Sequence, residues 1–154
     1  MECYHSSFAI TMAAILTRHN YTFELYLLNP ALTLVSGTSL VFHALYKHDP
    51  YMSDTFHKAL YVVDKGLTHA IGIMIIPPAI RYTVWCSSCR SAVYMAMFWL
   101  CYAYVFWVYY VNNTFLYMDD NDWKYWHASI HLVGSVGLVL LHHASLIAMK
   151  KIVK

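Results

Sequence analysis

"AVYMAMFWLCYAYVFWVYYV", residues 92–111, carries no charged side chain, no proline and no glycine. At a rise of about 1.5 Å per residue, a helix of this length crosses the ~30 Å hydrocarbon layer of a bilayer. Tyr and Trp stand toward both ends, where rings with one polar edge suit the membrane–water interface. The composition of the whole chain agrees with that reading. Of 154 residues, 60% belong to the hydrophobic set and only 12% are charged. A soluble domain carries about 25% charged residues. Mean hydropathy is +0.45. A net charge of +2 gives no basis for nucleic-acid binding. No repeat or low-complexity segment divides the sequence, so residues 1–154 read as one integral membrane domain.

Outward from this span, further apolar runs alternate with short polar breaks. One goes from about Thr22 to Tyr46 and contains Pro30, which either kinks the helix or marks its start. Another goes from about Phe56 to Ile80 and is expected to stop at Pro77-Pro78 and Arg81. The last goes from about Tyr125 to Met149 and ends in Lys150-Lys151. "SSFAITMAAIL", residues 6–16, is short for a full span and reads as a tilted or interfacial helix. The expected fold is therefore all-α: a polytopic transmembrane helix bundle of four spans plus a short N-terminal helix. No cleaved signal is expected, since Met1-Glu2 lacks a basic start. Cys86-Ser-Ser-Cys89 reads as a loop between helices, and Cys101 as a packing residue.

Consecutive spans alternate in direction. The break at residues 47–54 and the start of the last span then share one side, while residues 82–91 and the C-terminus share the other. The second side carries Arg18, Arg81, Arg90, Lys150, Lys151 and Lys154; the first carries Lys47, Lys58, Lys65 and Lys124. The positive-inside rule makes the first side exoplasmic.

Ionisable residues inside spans are costly and mark function by default. His43, Asp64, His127 and His131 lie on three different spans, all within roughly 3–12 Å of the exoplasmic end at the helical rise. His127 and His131, at i and i+4, point the same way from one helix, as metal-binding pairs do. His43 supplies a third imidazole. Three neutral histidines with one open position describe a catalytic zinc site. Asp64 is placed to take a proton from the zinc-bound water, and Ser39, four residues before His43, to orient that water or donate to a substrate carbonyl. Each residue also has a plainer reading. A single intramembrane histidine more often hydrogen-bonds a neighbour, and Asp64-Lys65 can be an ion-paired start of a helix. Shared depth and the i,i+4 spacing favour the metal. Haem held between His69 and another histidine is a rival that leaves Ser39 and Asp64 unexplained.

The pattern Ser39-x-x-x-His43, Asp64 in the next helix, and His127-x-x-x-His131 opening the last helix resembles the CREST membrane hydrolase superfamily. That superfamily includes alkaline ceramidases, adiponectin/progestin receptors and myomaker-like proteins. "SLVFHAL", "YVVDKGL" and "YWHASIHLVGS" are most similar to the myomaker-like branch. The resemblance implies zinc on His43, His127 and His131, Asp64 and Ser39 as catalytic residues, and hydrolysis of lipid amides or esters. The superfamily has seven spans. Where it places three between the Asp helix and the His-pair helix, this chain has one. Membrane lipids are the expected ligands, and a second copy or partner subunits would complete the thinner wall. A second function class follows from the missing spans: a small structural accessory subunit of a larger membrane complex, whose site has decayed or serves only stability.

Overall fold

The computed structural model describes residues 3–18, 25, 27–45, 54–86, 88–111 and 123–152. Among them no strand occurs. The helices are α1 (Cys3–Leu16), α2 (Leu28–Leu45), α3 (Asp54–Met74), α4 (Ile76–Val84), α5 (Cys89–Phe106) and α6 (Trp123–Ile152). A π-helical turn, Trp107–Val111, extends α5.

Three helices are long and apolar enough to cross a membrane: Lys58–Val84, Cys89–Val111 and Tyr125–Ala148. The apolar parts of α1 and α2, Ser6–Leu16 and Leu28–Phe42, are shorter. The outer surface fits immersion in lipid. Val84, Leu100 and Ile73 are 75%, 72% and 68% exposed. So much outward-facing apolar surface would drive aggregation in water. α6 is the most enclosed of the three long helices, with 44% of its apolar window buried against 22% for α5 and 11% for α3.

The two proline sites behave differently. Pro30 falls in the first turn of α2. Its missing N–H would have no intrahelical partner there, so it begins the helix rather than kinking it. Pro77 and Pro78 do not end the third apolar run, contrary to expectation. Their missing N–H groups remove the donors four residues on from Ile73 and Met74, while Ile75 still donates to the Ile71 carbonyl at 3.1 Å and accepts from the Ala79 N–H at 3.0 Å; the prolines occupy the first turn of α4, and the chain stays helical to Val84. Ser88 caps α5, its hydroxyl accepting from the Ser91 amide at 3.1 Å.

α1 packs between α2 and α6, α2 lies against α3, α5 lies along α6, and α4 reaches both α5 and α6. The helices thus close a ring around a core that includes Leu32, Ile71, Phe98, Met95 and Leu141. α1 and α2 run antiparallel and are joined by three polar rungs. The Ser7 and Ser39 hydroxyls lie 3.1 Å apart, Thr11 bonds Ser36, and the Asn29 amide donates to the Ala14 carbonyl. Lipid cannot compete for such bonds, so short hydroxyl side chains between helices hold them in place. This is how an eleven-residue apolar stretch, Ser6–Leu16, is drawn into the bundle.

α5 and α6 meet where Gly137 removes a side chain. A Cβ at that position would stand 3.1 Å from the Cys101 Cβ and 3.9 Å from Phe98 Cδ2. The Cys101 Cβ is fixed to its own backbone, so the helices themselves must separate to admit a larger residue. Gly137→Leu is expected to lose about 1–3 kcal/mol by overpacking. Thermal unfolding in detergent should show a lowered midpoint, with Gly134→Ala nearly neutral because its Cβ would meet only Val105 Cγ2, at 3.7 Å.

Candidate functional site

Two of the residues singled out in the sequence, His131 and Ser39, meet the first two turns of α1. His127 and His131 are both buried, one turn apart on α6, with ring centroids 4.5 Å apart. Ser6 Oγ lies 3.0 Å from His131 Nδ1. With the imidazole neutral and Nδ1–H donating to that hydroxyl, Nε2 keeps its lone pair. Ser39 is wholly buried, and its hydroxyl meets Ser7. Adjacent residues of α1 therefore bridge the two sides of the site: Ser6 to the histidine helix, Ser7 to the serine helix.

Asp64 is buried on α3 and faces α2. Thr38 Oγ1 donates to its Oδ1 at 3.3 Å. The same hydroxyl lies 3.1 Å from the Val35 carbonyl, and with one proton it serves one acceptor at a time. Thr38 and Ser39 are neighbours in sequence, so α2 turns one hydroxyl to Asp64 and the next to α1.

His43 lies in α2 one helical turn beyond Ser39, and its side chain is outside the described residues. Among the described residues no three His, Cys, Asp or Glu side chains are grouped to hold a metal. Two of the three expected zinc ligands, His127 and His131, are in that set and pack together. Their chemistry fits zinc: a ligating histidine usually gives its second ring nitrogen to a hydrogen-bond partner, the role Ser6 fills for His131.

Among the described residues, the other histidines have different partners. The His69 Nδ1–H donates to the Lys65 carbonyl at 2.7 Å, and its ring meets Tyr109 edge-on at 4.8 Å. His143 stands 6.0 Å from Tyr94. His142 is buried further along α6, beside Ser145, whose hydroxyl donates to the His142 carbonyl. Cys86 and Cys89 flank the α4–α5 connection as free thiols, and Cys86 Sγ is 3.3 Å from the Ser91 hydroxyl.

A cavity of about 120 Å³ lies inside the ring of helices. All five long or apolar helices contribute to its wall, among them Ile10 of α1, Val35 of α2, Ile71 of α3, Phe98 of α5 and His131 of α6. His131 and Ser135 are polar points in an otherwise largely apolar surface. An apolar void with a few polar groups on one wall is the ordinary form of a small-molecule site.

Sequence reasoning passed over Ser6, Ser7 and Thr38. Ser6-Ser7 opens an apolar helix, and a hydroxyl pair in that place is a sign of bonding between helices. Thr38 has no comparable sequence signal, because its role depends on the crossing of α2 and α3. Compared with protein-family models, curated proteins and solved structures, the chain matches none.

Proposed function

We propose that this chain is a zinc-dependent intramembrane hydrolase of lipid amides or esters, of the CREST type. In this reading α2 also crosses the bilayer, giving four spans, and the site opens to the exoplasmic side. One observation carries the reading: His127 and His131 are buried as a pair, and His131, its Nδ1 engaged by Ser6, lines an apolar cavity.

His43, His127 and His131 would hold the zinc. Zinc so held supplies Lewis acidity that makes water a nucleophile near neutral pH. The protein's own groups do the rest. Asp64 Oδ1 accepts from Thr38, leaving Oδ2 to take the proton from the attacking water. Ser39 Oγ–H donates to the carbonyl oxygen as charge develops on it. The surrounding apolar side chains exclude bulk water, which strengthens both interactions.

The test is fatty-acid release from acyl-labelled ceramide and phosphatidylcholine by the zinc-loaded protein in nanodiscs. Release that a chelator stops and added zinc restores supports the reading. Zinc-loaded protein that releases nothing from either lipid overturns it. Recovery only as a stoichiometric part of a larger complex would then favour the accessory-subunit role.

Ser6→Ala tests the brace on His131. Losing such a partner weakens metal binding by about 10–100-fold. Competition against a zinc-binding dye should show that loss, while helical content stays unchanged.

A further inference from the structure

α3 and α5 approach each other little along their backbones, and side chains span the gap between them. The Tyr102 hydroxyl reaches the Gly72 carbonyl at 3.5 Å, a long and weak hydrogen bond. A groove of about 280 Å³ lies on the outer side of this gap, bordered by Ile73, Ile76, Phe106 and Tyr110. Thr68, Gly72, Tyr102 and Val105 line both this outer groove and the central cavity. The two spaces are therefore separated by one layer of side chains.

Gly72 is the thin point in that layer. A Cβ built there meets nothing within 4 Å. Contrast Gly137, where the same Cβ would press on Cys101. At Gly72, glycine leaves open space between two helices rather than letting them close. The groove lies within the spans Lys58–Val84 and Cys89–Val111, so its outer face meets hydrocarbon.

We infer that the gap between Gly72 and Tyr102 is a side portal through which one hydrocarbon chain of a bilayer lipid runs from the central cavity into the membrane. Three observations single out this occupant. The cavity is apolar and, at about 120 Å³, too small for a lipid headgroup. Voids of ~150 Å³ with such walls stay dry and take hydrocarbon. Only the layer of Thr68, Gly72, Tyr102 and Val105 separates the cavity from a lipid-facing groove. The portal also lies at a suitable depth. Gly72 is two turns along α3 from Asp64, or about 12 Å at the helical rise. A chain whose carbonyl lies level with Asp64 and His131 would pass through the cavity and leave at Gly72. Its far end would then be free in the bilayer, so the site would set no upper limit on chain length.

The route of the carbonyl rests on the hydrolase reading, but occupation of the portal does not, and the experiment separates the two. Protein in phosphatidylcholine nanodiscs is mixed with phosphatidylcholine carrying a diazirine midway along one acyl chain, irradiated, digested and mapped by mass spectrometry. In the wild type, adducts are expected on the cavity residues Cys101 and Leu138 as well as on the outward-facing Leu100. Gly72→Trp should abolish the cavity adducts and leave those on Leu100, which also reports that the helix is intact. Tyr102→Phe, which removes only the hydroxyl that closes the gap, should raise the cavity adducts about three-fold. Wild-type adducts confined to Leu100 and its outward neighbours would overturn the portal, as would cavity adducts that persist in Gly72→Trp. Cavity labelling by a protein that hydrolyses nothing would sink the hydrolase reading and leave the portal standing.

Discussion

Changing His127 and His131 together to alanine should reduce bound zinc from about one ion per chain to background. Two of three proposed ligands leave at once, and one imidazole does not hold zinc against water and buffer. The geometry makes this more than a count of ligands. The two ring centroids lie 4.5 Å apart, one turn apart on the most enclosed of the long helices, so both imidazoles stand at one place in the bundle. Metal content of detergent-purified protein, measured by inductively coupled plasma mass spectrometry, gives the result directly. Circular dichroism and gel filtration of the same samples check that α6 still folds. The helix should tolerate the change, because alanine is the strongest helix former. No zinc in either protein would remove the metal site and the hydrolase reading with it. Equal zinc in both would move the metal to other ligands.

Apolar run length and charge made the three long helices legible. Residues 92–111 needed only the absence of charge, and helix and π-helical turn together occupy Cys89–Val111. Span ends at prolines were less legible. Pro77-Pro78 read as a stop, yet a proline pair also suits the first turn of a new helix, and neighbouring α5 and α6 support α4 beyond the break. The pairing of His127 with His131 followed from i,i+4 geometry alone, since one helix sets both side chains. Asp64 against Thr38, and Ser39 against Ser7, depended on which helices are neighbours, and no local pattern encodes that. α1 was the least legible element. Its apolar stretch, Ser6–Leu16, is too short to cross a bilayer, and hydropathy says nothing about a polar ladder formed with Ser36 and Ser39. Yet this helix joins the two halves of the candidate site.

Asp64→Asn should leave zinc in place and lower lipid hydrolysis by about 100-fold or more, the usual cost of losing a positioned general base. The amide has nearly the same shape, and its oxygen can still accept from Thr38 Oγ1, so α2 and α3 keep their crossing. What disappears is an atom that can take a proton. Asp64→Ala would confuse this result by also leaving the Thr38 hydroxyl with only the Val35 carbonyl to serve. Thr38→Val supplies the complementary case. It keeps the carboxylate but removes the donor that fixes its Oδ1, so Asp64 becomes a poorly aimed base. Its loss of rate should be smaller than that of Asp64→Asn, again with zinc retained. Metal analysis beside a fatty-acid release assay at saturating lipid distinguishes the outcomes. A rate that falls with zinc content unchanged identifies Asp64 as the base. Parallel loss of zinc and rate would instead make Asp64 a metal ligand. An unchanged rate in both variants would reduce Asp64 and Thr38 to a polar clasp between α2 and α3, the role that hydroxyl pairs already play between α1 and α2.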